Sequence, residues 1–133
     1  MDRLFLDANV LFSAAHRANA GLLRLWKLKK VVLCSSGYAV EEARFNLSEE
    51  APQARLATLS GSIQLFEAGS GPLPRRISLP EKDAPILLAA IAADATHLLT
   101  GDVRHFGLYF GKKIEGITIL LPGDYLRLRA LET

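Results

Sequence analysis

Short runs of consecutive apolar residues, each cut off by a polar or turn-forming residue, alternate along this chain with stretches whose apolar residues recur at helical spacing. Arg3-Leu4-Phe5-Leu6 ends abruptly at Asp7-Ala8-Asn9, as a buried strand does at the edge of a sheet. Leu11, Ala14, Ala15, Ala18, Leu22, Leu25 and Trp26 follow at helical spacing, and Asn19-Ala20-Gly21 predicts a break into a short helix and a second one capped near Asn19. Val31-Val32-Leu33-Cys34 reads as a second strand. Ser35 or Ser36 then caps a helix with the stripe Val40, Ala43 and Leu47, and Glu41 and Glu42 lie near its start. A further helix is predicted over about residues 50–59 and a strand over Ile63-Gln64-Leu65-Phe66. Asp83 and Pro85 open a helix through Ile86, Leu87, Ala90 and Ile91, because proline suits the first turn and aspartate the cap. His97-Leu98-Leu99-Thr100 is a fourth strand broken by Gly101-Asp102. Ile117-Thr118-Ile119-Leu120-Leu121 is a fifth, stopped by Pro122-Gly123 ahead of a short closing helix with Tyr125, Leu126, Leu128 and Leu131.

Short, apolar, unalternating strands separated by helices predict a three-layer α/β/α sandwich with a mainly parallel central sheet of about five strands. Its site belongs at the carboxyl ends of the strands, near a topological switch point. The Gly/Pro-rich stretch Gly69-Ser70-Gly71-Pro72-Leu73-Pro74-Arg75-Arg76 is too short to separate domains and reads as a surface loop, so residues 1–133 are expected to form a single domain.

Composition narrows the function classes without choosing among them. Half of the 133 residues are apolar and 23% are charged, a globular balance rather than a disordered or fibrous one. The longest apolar stretches, such as residues 86–93, fall well short of the roughly 20 residues of a membrane helix. The single Cys34 cannot form an internal disulfide, and Met1-Asp2-Arg3-Leu4 lacks the features of a signal peptide, so a cytoplasmic location is expected. A net charge of +2 is a weak pointer to an anionic partner.

The acids carry more. Asp7 follows the first strand, Glu41 and Glu42 lie in the helix after the second, Asp83 begins a helix and Asp102 follows the fourth strand. In a parallel sheet these positions share one side of the molecule, where like charges repel unless a cation neutralises them. Oxygen-rich sites suit Mg²⁺ or Mn²⁺, and a pair of such ions roughly 3.5 to 4 Å apart activates water and stabilises the leaving oxygen in phosphodiester hydrolysis. Each acid also has a plain structural reading. Asp7, Asn9 or Asp83 can cap a helix, Asp102 can belong to an ordinary turn, and Glu41 and Glu42 can be solvated. Independent caps, however, have no reason to converge at one end of a sheet.

Taken in order, these segments resemble the PIN domain, a metal-dependent nuclease fold found in VapC-type toxins of toxin–antitoxin systems. Leu6-Asp7-Ala8-Asn9-Val10-Leu11 is similar to the family's opening D-x-N motif and Glu41-Glu42-Ala43 to its helix acid. Lys82-Asp83 with Ile86-Leu87-Leu88-Ala89-Ala90 is similar to its third acid and helix, Leu99-Thr100-Gly101-Asp102 to its T-G-D turn, and Gly116-Ile117-Thr118-Ile119-Leu120-Leu121-Pro122 to its last strand. The resemblance covers nearly the whole chain. It implies that Asp7, Glu42, Asp83 and Asp102 are the catalytic, metal-binding acids, with Glu41 the alternate to Glu42. Glu42 is preferred because Ala43 follows it and Asn46, one turn on, could orient it. Asn9 would hydrogen-bond within the cluster and Thr100 would hold the turn that aims Asp102. Many members carry a further acid where this chain has His105. A neutral imidazole there could bind a metal or assist proton transfer, an imidazolium could contact phosphate, or the ring could simply pack in its loop. His16 and His97 read as structural.

The implied activity is a Mg²⁺- or Mn²⁺-dependent endoribonuclease that hydrolyses RNA phosphodiester bonds without a covalent intermediate, the toxin of a type II system with a cognate antitoxin as partner and a homodimer as its assembly. Arg104, Lys112 and Lys113, with Arg75 and Arg76, would form a basic rim that holds RNA around the acidic centre. Two other classes compete: a non-catalytic PIN-like module that binds RNA or protein, and a phosphatase with Asp7 as nucleophile. The retained set of repelling acids weighs against the first. Asn9 in place of a second acid, with no obvious phosphate-holding lysine motif, weighs against the other.

Overall fold

The computed structural model describes residues 1–67 and 71–131. Gly69 and Ser70 of the predicted surface loop lie outside the described residues, and residues 71–76 of that loop carry neither helix nor strand. In chain order the elements are β1 (Asp2–Leu6), α1 (Ala8–His16), a 3-10 turn (Gly21–Lys27), β2 (Val31–Ser35), α2 (Gly37–Asn46), α3 (Glu50–Ser60), β3 (Gln64–Leu65), α4 (Ala84–Ala92), β4 (His97–Leu99), α5 (Val103–Phe106), a second 3-10 turn (Gly107–Tyr109), β5 (Lys113–Ile114), β6 (Ile117–Leu120) and α6 (Pro122–Leu131).

The strands form one sheet in the order β3-β2-β1-β4-β6-β5, parallel except where β5 meets β6. Leu4, Phe5 and Leu6 of β1 are consecutive and fully buried, which requires cover on both faces of the sheet and explains the absence of alternation in the sequence. The chain leaves β1 toward β2 and β3, then returns across the sheet to β4 on the other side of β1 and moves on to β6. Parallel crossovers are right-handed, so the helices of the outgoing and returning halves lie on opposite faces. The reversal makes the crevice between the carboxyl ends of β1 and β4 the switch point, where open α/β sheets bind ligands.

Local departures from the predicted pattern have visible causes. The second helix expected after Asn19 is a tight 3-10 turn, whose first residue has no side-chain cap and whose Trp26 Nε1 donates to the Leu59 carbonyl at 3.1 Å. That tether and buried Leu25, rather than a capped α-helix, hold the segment. The strand expected at residues 63–66 shortens to β3, an exposed edge paired only through Cys34↔Gln64 and Ser35↔Leu65. One strand beyond the expected five is β5, joined to β6 across Glu115 and Gly116 with φ of 51° and 81°. Two consecutive positive φ values are what a two-residue hairpin loop demands. No helix of the described residues is long and apolar enough to cross a membrane.

Candidate functional site

Asp7 stands at the end of β1, in the N-cap position of α1. Its Oδ1 accepts from the Ala8 amide at 2.7 Å, so the capping reading is realised. Its Oδ2 accepts from Thr100 Oγ1 at 2.8 Å and from Asn9 Nδ2 at 3.2 Å. Asp7 is almost fully buried, and burial is the main reason its pKa rises from 3.8 to about 6, with the charges of Asp83 and Glu42 adding to the rise.

Thr100, fully buried at the end of β4, ties the two central strands together. Its hydroxyl donates to Asp7 Oδ2 and accepts from the Asp102 amide at 3.0 Å and from Asn9 Nδ2 at 3.3 Å. Asn9 closes the loop by accepting the Gly101 amide at 2.7 Å. A Cβ at residue 101 would stand 3.3 Å from that same Asn9 oxygen, so the approach is tight for anything larger than glycine. Asp102 Oδ1 caps α5 by accepting from the His105 amide at 3.0 Å, and its Oδ2 lies 2.8 Å from Nδ1 of the same residue.

Asp83 behaves differently. It occupies the N-cap position of α4 yet makes no capping bond, and Pro85 opens the helix instead. Its buried carboxylate turns toward His105, whose Nδ1 lies 2.8 Å from Asp83 Oδ2 and 2.8 Å from Asp102 Oδ2. Neither the Asp83 oxygen nor the His105 nitrogen forms a hydrogen bond of acceptable geometry, although both atoms are buried. Burial pushes Asp83 above the usual carboxylate range, against the opposing pull of His105 and Lys82.

On α2, Ser36 caps the helix through the Ala39 amide at 3.1 Å and sets its rotation. Glu42 then lines the cavity, whereas Glu41 is exposed and pairs with Arg44 at 2.8 Å. Asn46 does not orient the Glu42 carboxylate as expected: its Nδ2 donates to the Glu42 backbone carbonyl at 3.0 Å, because a short amide one turn on reaches the main chain first. Asp7, Asn9, Glu42, Asp83 and Asp102 all line one cavity of about 580 Å³ at the switch point. Two of these, Asp83 and Asp102, form with His105 a group of candidate ligand atoms among the described residues, all within 4.8 Å of one another. Asp7 and Glu42 border that group from the side of β1 and α2.

Comparison with known proteins decides the family. A family model of the PIN domain matches residues 3–104, most of the chain. The chain belongs to the PIN domain family. Among solved structures, a chain in the crystal structure of VapBC2 from Rickettsia felis bound to a DNA fragment from their promoter is similar, with a TM-score of 0.66. The match covers 88% of this chain and 96% of that one at 16% identity, which is a likeness of fold. A search of curated proteins finds no match.

The rest of this PIN domain's predicted surface is less concentrated. Arg104 is exposed on α5 beside Asp102. Lys113 pairs in register with Thr118, and Thr118 with His97 at the start of β4, so Lys113 stands at the amino end of the sheet. Three residues of strand, roughly 10 Å, separate that level from Thr100. Lys112 is exposed on the same edge segment, and Arg75 and Arg76 are exposed on their loop; none of these residues lines the acidic cavity. The basic residue that does is Lys82, whose carbonyl accepts from Tyr38 Oη at 2.7 Å. Lys82 appeared in the sequence only as the neighbour of Asp83, and that adjacency was the available signal. Phe12, on α1, supplies an apolar wall. His16 stacks on Phe12 and His97 meets the edge of Tyr125, both outside the acidic group.

Proposed function

We propose that this PIN domain is a metal-dependent endoribonuclease that hydrolyses RNA phosphodiester bonds, the toxin of a type II toxin–antitoxin pair. The observation that carries the reading is the convergence of Asp7, Glu42, Asp83 and Asp102 on one cavity in which no Lys or Arg of the described residues forms an ion pair with any of them. Uncompensated carboxylates raise the energy of the empty site, and a divalent cation relieves it. The donor set fits such an ion, since the buried Asp83 Oδ2 and His105 Nδ1 are left without hydrogen-bond partners. Asp83, Asp102 and His105, with Asp7 and Glu42 beside them, would hold it. When bound, a divalent ion of this kind supplies Lewis-acid polarisation of a phosphoryl oxygen and acidifies water.

The chain's own residues set the stage. Thr100 and Asn9 lock the carboxylates of β1 and β4 in one orientation, so substrate meets a preorganised array. Lys82 in the cavity wall and exposed Arg104, two residues from Asp102, offer cationic contacts to the phosphate backbone, a sequence-independent means of grip. A protein antitoxin as partner accords with the VapBC2 complex to which the structural relative belongs, and a homodimer as assembly with the family resemblance of the motifs.

The deciding experiment incubates the purified protein with labelled mixed-sequence single-stranded RNA under Mn²⁺, Mg²⁺ or EDTA, beside Asp102→Asn. Cleavage should require the metal and vanish in the variant. Cleavage that persists in EDTA, or in the variant, would overturn this mechanism. A wild-type protein that binds RNA and metal without cutting would instead be the non-catalytic module.

A further inference from the structure

We infer that His105 is a direct metal ligand through Nδ1, making a mixed nitrogen–oxygen site with Asp83 and Asp102 that selects first-row transition ions over Mg²⁺. The assignment rests on the reading of the cavity as a metal site and adds to it a ligand that the four acids do not supply. Three observations carry it. First, Nδ1 stands 2.8 Å from one oxygen of each carboxylate. Neighbouring donors around one ion with bonds of about 2.1 Å lie about 3 Å apart, so these separations would suit Nδ1 and the two carboxylate oxygens as donors to the same ion. Second, the side chain of Asp83 is only 9% exposed, and its Oδ2 faces His105 Nδ1 with neither atom hydrogen-bonded. A buried imidazole nitrogen that faces one oxygen of each of two carboxylates gives three donor atoms close enough for one cation to take together. Third, His105 is held from its backbone: its amide donates to Asp102 Oδ1 at 3.0 Å, which fixes the start of α5 and hence the ring beside Asp102 Oδ2.

The chemical consequence is selectivity. Mg²⁺ prefers oxygen donors and keeps its waters, whereas imidazole nitrogen favours Mn²⁺, Co²⁺, Ni²⁺ and Zn²⁺ in rising order of affinity across most of that series. An acid at position 105 would complete an all-oxygen site. Histidine there moves the preference toward softer ions and lowers the negative charge that the empty cavity must carry.

The test uses the full chain stripped with EDTA. Mn²⁺, Co²⁺ and Mg²⁺ are titrated calorimetrically into the wild type, His105→Ala and His105→Asn, with circular dichroism to verify folding, and the Mn²⁺ complexes are examined by pulsed electron paramagnetic resonance. The wild-type Mn²⁺ complex should show nitrogen hyperfine coupling that both variants lose. Mn²⁺ and Co²⁺ affinity should fall at least about tenfold in the variants while Mg²⁺ affinity changes less than about threefold. If Mn²⁺ binds the wild type without nitrogen coupling, or the coupling survives in a folded variant, His105 is not a ligand and the metal site stands without it. If the wild type binds none of the three ions, the metal reading itself fails, and this assignment with it.

Discussion

The two ends of the same sheet treat their acids in opposite ways. At the amino end Asp2 opens β1, accepts a 2.6 Å hydrogen bond from Tyr125 Oη and lies 3.8 Å from the Arg129 guanidinium, which in turn donates to Tyr125 Oη and to the Lys29 carbonyl. The phenol is pushed well above its usual pKa, chiefly by burial and by its hold on Asp2. At the carboxyl end four acids share a cavity, and the group placed against Asp83 and Asp102 is an imidazole rather than a Lys or Arg side chain. An acid that only supports the fold is given a donor and a counter-charge. Acids left to repel one another while partly or fully buried cost stability, a cost that the proposed cation would offset on binding.

The largest separation of the two ends comes from exchanging one carboxylate for an amide at each. Asp102→Asn should lower metal-dependent RNA cleavage by at least about a hundredfold, since metal-borne stabilisation of transition-state charge is worth several kcal/mol. Asp2→Asn should leave cleavage within about twofold and lower stability by about 1 kcal/mol, the ordinary value of a hydrogen bond with charge assistance weakened. Denaturant melts and initial rates on the same preparations check both. Equal losses of activity from the two variants would erase the contrast.

Next in size is the pH dependence of Asp7. Its pKa is raised in the folded protein to about 6 from 3.8, so the native state holds the proton more tightly than the unfolded chain. The resulting stabilisation is fully present below the unfolded pKa and is lost as pH rises through about 6. The shift corresponds to about 3 kcal/mol. The metal-free protein should therefore lose stability between about pH 4 and pH 6 from this group, and Asp7→Asn should flatten that limb and raise the melting temperature at pH 8. The same variant should abolish the stabilisation that Mn²⁺ confers on the wild type. Urea melts across the pH range, with and without metal, supply the measurement; an unchanged limb in the variant would assign the pH dependence elsewhere.

How far all this was legible beforehand follows from the physics of each signal. The parallel character of the sheet was readable because strands covered on both faces leave short, mostly apolar runs, and Asp7 and Asp102 because they follow two such runs abruptly. The β5–β6 hairpin was missed. Lys113 and Ile114 are too few to show a period, and the positive-φ pair Glu115-Gly116 is a weaker turn signal than Asn-Gly. Lys113 stands away from the cavity for a related reason: it follows Asp102 closely in sequence, but an antiparallel strand carries the chain back to the other end of the sheet. Glu42 was preferred to Glu41 from the family resemblance and its neighbours in sequence, and it is the one that lines the cavity, where the Ser36 cap and the burial of Ala39 and Ala43 seat α2. That Asp83 would decline its cap was likewise invisible, since position and composition favoured capping.

The smallest effects distinguish two tyrosines, one at each end. Tyr125 is buried and donates to Asp2, so Tyr125→Phe leaves a carboxylate short of a partner and should cost about 1 to 2 kcal/mol of stability with no change in metal affinity. Tyr38 is 39% exposed and donates at 2.7 Å to the carbonyl of Lys82, the residue before Asp83. Water can replace that bond, so Tyr38→Phe should change stability by less than about 0.5 kcal/mol. Its tether nonetheless joins α2, which carries Glu42, to the segment that carries Asp83. Loosening it should widen the distribution of distances between the two acids and weaken Mn²⁺ binding by roughly threefold, in line with the modest effect of groups that orient ligands without touching the ion. Calorimetric titration of the Tyr38→Phe and Tyr125→Phe proteins side by side reads the difference. A drop in affinity confined to Tyr38→Phe would show that the carboxyl end depends on positioning that stability measurements do not register, and equal affinities in the two proteins would reduce the Tyr38 bond to a surface contact.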